Sequence, residues 1–125
     1  MTKEEFETTI ENNNAEISAL NEEIDRLEES RSKLSSIAYD DICLFTAGWS
    51  GQLTNIDDSI KYEGSNEMKY VETMDTEVFS FIDSYQAAIV DMMDQIDSKI
   101  SDIQKRIDEI SAESQSMLHE AIWGE

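Results

Sequence analysis

The side chains that could do chemistry in this sequence are mostly carboxylates. The 125 residues include 29 Asp and Glu against 9 Lys and Arg, together with one cysteine, Cys43, and one histidine, His119. Catalysis by paired carboxylates needs a cleft that desolvates them and splits their pKa values, and a two-helix protein offers none. A single cysteine and a single histidine form neither a zinc site nor a nucleophilic relay. The sequence therefore predicts no catalytic, metal or cofactor site, with His119 at the surface and Cys43 as a small buried apolar residue.

The charge balance argues against two classes of partner. The formal net charge is -20 at pH 7, and the isoelectric point is near 4.1, so nucleic acid and anionic membranes would repel the chain. The longest nearly apolar run, residues 42–49, is much shorter than the roughly 18 residues of a membrane span. The first residues contain no apolar stretch of the secretory-signal type. We expect a cytoplasmic protein that neither binds nucleic acid nor inserts into a membrane.

The elements that carry these residues are predicted to be long helices. The sequence has no proline and only four glycines, a composition that suits uninterrupted helices. Apolar residues from Phe6 to Phe45 recur at alternating spacings of four and three, which predicts a first helix over about 3–45. Thr2 and Glu5 fit a capping box at its start.

A tight turn is predicted where this pattern breaks, at residues 46–52, because two glycines there flank Trp49. A second apolar stripe, with isoleucine at multiples of seven, predicts a second helix over about 53–119 with a kink or break at 64–66. The fold class is therefore all-α. Residues 1–125 form one domain, an antiparallel two-helix hairpin resembling a coiled coil, with a longer second helix.

The two predicted arms differ in length. At about 1.5 Å per residue, the first helix is roughly 60 Å long, and the second is roughly 80 Å long even if it begins only after Asn66. The part of the second helix beyond the reach of the first would leave an apolar stripe available to another chain. The predicted partner-binding residues in that stripe are Ile96, Ile100, Ile103, Ile107 and Ile110.

Isolated polar residues at core-phase positions have two interpretations. They lie at the solvated margin of the apolar stripe, or they fix the register and the choice of partner, as polar core residues do in some coiled coils. The residues concerned are Asn13, Arg31, Asp41, Asp75 and Gln86.

The segment Trp49-Ser50-Gly51 is a Trp-x-Gly motif between two amphipathic helices of a small acidic chain. In this respect the sequence resembles the WXG (ESX-type) family, the small helical hairpins of the type VII secretion system. The resemblance implies that the indole of Trp49 closes the end of the hairpin or fills a pocket of a partner, and that Gly51 allows the turn. A plain helical hairpin stapled by a tryptophan is the alternative.

The resemblance also implies a secretion signal, in which an aromatic residue is followed four positions later by an acid. Phe79 and Asp83 fit this spacing and lie one helical turn apart on one face. The alternative is that Phe79 is simply a buried aromatic residue in mid-helix. In that case a second small helical hairpin protein supplies the export signal.

Within that family the chain is most similar to the YwqH-like hairpins encoded beside LXG-domain toxins. This resemblance implies a non-enzymatic accessory protein that binds the helical LXG domain of a toxin as a targeting factor or chaperone. It further implies a cytoplasmic location, with co-export through the type VII system as an additional expectation. The alternatives are a homodimeric coiled-coil scaffold and a holdase chaperone of prefoldin shape.

Overall fold

The structure, a computed structural model, describes the backbone of residues 2–60 and 65–123 and the side chains of residues 2–51 and 72–121. Within these ranges every residue from Lys3 onward is helical and no strand occurs, which confirms the all-α fold class. The elements in chain order are α1 (Lys3–Ser35), a π-helical segment (Ser36–Asp41), α2 (Ile42–Ile60) and α3 (Ser65–Trp123).

The start of α1 is fixed by the predicted capping box. The backbone N–H of Thr2 donates to Oε2 of Glu5 at 3.2 Å, and the backbone N–H of Glu5 donates to Oγ1 of Thr2 at 3.1 Å. These two bonds satisfy donors that the first helical turn otherwise leaves without partners. The predicted helix start at residue 3 is confirmed.

The predicted turn at 46–52 is wrong, because those residues lie within α2. A glycine inside a helix costs only about 1 kcal/mol relative to alanine, so favourable packing elsewhere in the helix can outweigh a local turn signal. Helical structure continues from the predicted first helix to Ile60, and α3 begins only at Ser65. Of the break predicted at 64–66, Gly64 lies outside the described residues, whereas the other two residues belong to α3.

The chain divides into two compact units. The terminal unit comprises Met1–Ser30 and Gln95–Glu125, and the central unit comprises Arg31–Asp94. In each unit, α3 packs against the helical chain that precedes it, so the predicted helical hairpin is confirmed as a fold class.

In the terminal unit the helices pair antiparallel. Polar contacts across the pair join Asn13 to Ser114 and Glu23 to Lys99, so the partner residue moves backward along α3 as α1 advances. The core is made of Ile24, Ile103 and Ile107, and it is extended by partly buried apolar side chains packed against it: Ile17, Leu20, Leu27 and Ile100. Apolar side chains of both helices therefore fill the space between them.

In the central unit the same antiparallel pairing holds. The core consists of Ala38, Ile89 and Met93, and Leu34, Ile37 and Ile42 pack against it. No described helix contains a stretch that is both long enough and apolar enough to cross a lipid bilayer.

Candidate functional site

Trp49 and Gly51, the predicted turn motif, lie on α2. The indole N–H of Trp49 donates to Oδ1 of Asp75 on α3 at 3.1 Å, and the side chain is half-buried. A Cβ added at Gly51 would meet no atom within 4 Å. The role of Gly51 in a turn is therefore wrong, whereas Trp49 does connect the two sides of the central unit.

The predicted secretion pair, Phe79 and Asp83, lies on α3 with the phenyl ring half-buried and the carboxylate exposed. Phe79 is therefore not a fully buried core residue, and Asp83 is accessible to another molecule. Their role in export stays a prediction.

The isoleucine stripe predicted to be uncovered is in fact covered by α1. Ile103, Ile107 and Ile110 are buried, and Ile110 has no exposed surface, while Ile96 and Ile100 are half-buried. The prediction of an uncovered stripe was wrong because it ended the first helical arm at residue 45, whereas helical structure before α3 continues to Ile60. The argument that reserved these residues for a partner no longer holds.

An open apolar groove lies instead in the central unit. It has a volume of about 440 Å³ between the preceding helical chain and α3. Three aromatic side chains on it are exposed, with 70% of Phe81, 57% of Phe45 and 49% of Tyr85 accessible to solvent. Its walls are formed by Ile37, Asp41, Ile42, Phe45, Phe81, Ile82 and Tyr85.

Two aromatic rings of this groove, which we call the aromatic groove, stack against each other. The rings of Phe81 and Tyr85 stack with centroids 6.2 Å apart and an interplanar angle of 7°. These residues lie one helical turn apart on α3, so a regular helix positions the two rings side by side. Aromatic side chains are enriched in the cores of protein interfaces, and tyrosine is among the residues that most often dominate binding energy there.

The π-helical segment accounts for the position of Phe45 on the groove. The backbone N–H of Ile42 bonds to the carbonyl of Ile37, five residues earlier, where an α-helix would bond four residues earlier. One extra residue in a turn rotates every later side chain by about 100°. Ala38 is therefore fully buried, whereas Phe45, seven residues later and predicted on the same stripe, points into solvent.

Gln86 supports this irregular segment from α3. Its Nε2 donates to the backbone carbonyl of Ala38 at 2.8 Å. A polar residue on the apolar stripe thus satisfies a carbonyl within the π-helical segment. Asn13 in the terminal unit acts similarly, since it is buried and its Nδ2 donates to Oγ of Ser114 at 3.0 Å. For Asn13 and Gln86 the interpretation as register-fixing residues agrees with these contacts, whereas Asp41 is exposed, as the solvated-margin interpretation expects.

A smaller apolar groove of about 240 Å³ lies in the terminal unit, lined by Phe6, Ile10, Ser114, Gln115 and Leu118. Phe6 and Ile10 are half-buried there, and of the large apolar side chains on this groove only Leu118 is exposed. The aromatic groove of the central unit therefore offers much more accessible ring surface.

The described residues contain no group of three His, Cys, Asp or Glu side chains placed to hold a metal ion. Cys43 was predicted to be buried, and this prediction is wrong, because the side chain is exposed on α2.

Sequence reasoning missed the aromatic groove, although a signal was present. Phe81 and Tyr85 lie outside the isoleucine stripe, and three other apolar residues of α3 continue their spacing of four and three: Met74, Val78 and Met92. A helix with two neighbouring apolar stripes has a second surface to bury.

In comparisons with known proteins, no protein-family model matches this sequence, no curated protein is significantly similar to it, and no solved structure resembles it significantly.

Proposed function

We propose that this chain is a non-enzymatic accessory protein of type VII secretion that binds the helical LXG domain of a toxin as a targeting factor or chaperone. The observation that carries the binding function is the aromatic groove of the central unit, with Phe45, Phe81 and Tyr85 exposed on regular helices. The secretion context comes from the sequence resemblance alone, namely the Trp-x-Gly residues, the acidic composition and the hairpin fold class, although Trp49 and Gly51 lie within α2 and not at a turn.

The groove favours a protein partner over a small molecule. Small-molecule sites cover about 70–90% of the surface of their ligand. This groove is only partly enclosed and is lined mainly by apolar side chains, so it would leave part of a small apolar ligand in water. A helix of another protein would instead cover the groove while its outer face stayed solvated.

The groove also has enough apolar surface to stabilise a complex. Burying one large apolar side chain contributes about 1.5–3 kcal/mol. Phe81, Phe45 and Tyr85 are each about half or more exposed before binding, so much of that contribution is still available. Because the rings of Phe81 and Tyr85 are already stacked on α3, their ordering costs less conformational entropy when the partner binds.

Type VII export would place the chain in the cytoplasm when it meets the toxin, and a second small helical hairpin protein would complete the export-competent complex. Phe79 and Asp83 then supply the export signal of this chain, or that second protein supplies it. Homodimerisation is the rival, and it would cover the same groove with a second copy of the chain.

Co-expression with an LXG domain tests the proposal. The tagged chain should elute with the LXG domain from a size-exclusion column, and light scattering should show a mass that includes both chains. A helical domain of similar size from an unrelated protein serves as the control. Elution of the chain apart from the LXG domain, or as a dimer of itself that excludes that domain, would contradict the proposal.

A further inference from the structure

Helix α3 carries a second apolar stripe beside the one that packs in the core of the central unit. The core stripe includes Ile82, Ile89 and Met93, which are buried. The second stripe follows at spacings of four, three, four and seven, and its members are half-buried or exposed: Met74, Val78, Phe81, Tyr85 and Met92. From its first to its last residue this stripe is about 27 Å long at 1.5 Å per residue. A straight helix of about 18 residues matches that length.

The surroundings of the groove carry charge of one sign. Between residues 34 and 51 and between residues 72 and 94 the sequence has Asp and Glu but no Lys or Arg. Asp41 lines the groove itself, and Glu77 lies one turn before Phe81 on the same side of α3 and is exposed. These carboxylates would attract basic side chains that flank the apolar face of an incoming helix.

The same charges argue against a second copy of this chain as the occupant. With a net charge of -20, a second copy would bring like charges to the edge of the groove. Like charges brought together at an interface cost several kcal/mol, which suppresses such a pairing.

We infer that the aromatic groove receives one amphipathic helix of a partner protein, whose apolar face covers Phe81 and Tyr85 and whose flanking Lys or Arg side chains reach Asp41 and Glu77. This inference rests on the proposed function for the identity of the partner, but the charge and shape of the helix follow from the groove alone. It therefore predicts which helix of an LXG domain binds here: an amphipathic one with basic flanks.

Two synthetic peptides of about 18 residues test the chemistry directly. Both carry leucine at spacings of four and three, but one has lysine and the other glutamate at the flanking positions. Fluorescence anisotropy should show that the labelled lysine peptide binds the full chain and that the glutamate peptide does not. Raising the salt concentration should weaken binding of the lysine peptide, because the flanking charges are exposed to solvent. Equal binding of the two peptides would overturn the inference.

Matched variants then locate the site. The double variant Phe81→Ala/Tyr85→Ala should raise the Kd of the lysine peptide by about 30-fold, as expected when central interface residues are removed. Leu44→Ala is the control, because Leu44 is 74% exposed in the same unit but does not line the groove. Circular dichroism should show unchanged helicity for all of them, since these side chains contribute little to the core.

A second set of variants tests the role of the carboxylates. It consists of two double variants with the same change in net charge. Asp41→Asn/Glu77→Gln should weaken binding of the lysine peptide by about tenfold, whereas Glu72→Gln/Asp94→Asn should have little effect. Glu72 and Asp94 are exposed on the other side of α3, as helical geometry places Glu72 about 180° from Phe81. Equal effects of the two double variants would show that only the overall charge attracts the peptide, which would overturn the inference.

The experiments distinguish failure of the groove assignment from failure of the proposed secretion function. If the lysine peptide binds the groove but LXG domains do not bind the chain, the secretion function is wrong and the groove assignment stands. If an LXG domain binds equally well to the wild-type chain and to Phe81→Ala/Tyr85→Ala, the groove assignment is wrong and the secretion function stands.

Discussion

The large apolar side chains that the structure describes differ in their surroundings. Some fill the space between helices, and others remain exposed, where another molecule can contact them. Ile110 is fully buried in the terminal unit, whereas Phe81 is 70% exposed in the central unit although both are large and apolar. Polar residues on the stripes contribute by specific contacts, since Asn13 bonds to Ser114 and Gln86 bonds to the carbonyl of Ala38. Sequence spacing alone predicts which residues lie on an apolar stripe, but it does not predict which of them are buried and which are exposed.

Ile110→Ala should show how firmly α1 covers α3. Truncating a fully buried isoleucine typically costs about 2–5 kcal/mol of the free energy of unfolding. Leu118→Ala in the same unit should cost much less, because 48% of that side chain is already exposed. Urea denaturation followed by circular dichroism measures both. Equal losses would mean that the isoleucine stripe is not packed inside the molecule.

The helices themselves show how much of the fold could be predicted from the sequence. The apolar spacing and the Thr2–Glu5 capping box correctly predicted all-helical structure and the start of α1. The continuation of α2 through residues 46–52 could not be predicted in the same way, because Gly48-Trp49-Ser50-Gly51 is the strongest local turn signal in the chain. The hydrogen bond from Trp49 to Asp75 on α3 is a tertiary contact of this segment, and such a contact leaves no local signal.

Substitution of Gly51 distinguishes a turn from a helix at that position. In a turn that needs the freedom of glycine, Gly51→Ala would destabilise the protein. In α2, where an added Cβ meets no atom within 4 Å, alanine should instead raise the free energy of unfolding by about 0.5–1 kcal/mol. Thermal unfolding gives the sign of the change, and Gly48→Ala, which has the same open surroundings, should behave in the same way. A lower melting temperature for both variants would favour the turn.

The π-helical segment is the second feature of the helices that the spacing of apolar residues did not predict. It moves Phe45 off the core stripe and onto the aromatic groove, so the groove depends on one extra residue between Ser36 and Asp41. The contribution of Phe45 to the groove could not be predicted from the sequence for this reason, whereas the stripe with Phe81 and Tyr85 was visible in it. A heptad count assumes regular α-helical turns, and one π turn changes the phase of every residue after it.

Deletion of the exposed Tyr39 should remove that extra residue. The segment would then adopt a regular α-helical phase, and Phe45 would rotate by about 100° away from the groove. We expect the total helicity measured by circular dichroism to remain close to that of the wild type while binding of the LXG domain is lost. Tyr39→Ala, which keeps the chain length, is the control and should bind as the wild type does. Equal binding by the deletion variant would separate the groove from the π-helical segment.

At the scale of the whole molecule, the net charge acts against the apolar attraction between the exposed rings of two copies of the chain. The net charge of -20 opposes association of identical molecules even though the aromatic groove is apolar. The combination of a large negative charge and an apolar groove favours a protein that binds a partner of opposite charge over a homodimeric scaffold.

The state of association should therefore change with pH. At neutral pH and low salt we expect a monomer at micromolar concentration, because electrostatic repulsion outweighs the attraction between two grooves. As the pH falls toward the isoelectric point near 4.1, the net charge falls toward zero and self-association should begin. Light scattering across this range measures the change, and Phe81→Ala/Tyr85→Ala should weaken the association at low pH. A stable dimer at neutral pH would favour the homodimeric alternative.

The central claim is that the aromatic groove is the surface through which this protein binds the LXG domain of a toxin, and titration calorimetry tests it most directly. The LXG domain is titrated into the wild-type chain, into Phe81→Ala/Tyr85→Ala and into Leu44→Ala under identical conditions. The account predicts that the wild type and Leu44→Ala bind with the same affinity and that the groove variant binds at least about 30-fold more weakly. Equal affinity of all three proteins for the LXG domain, or no binding by any of them, would contradict it.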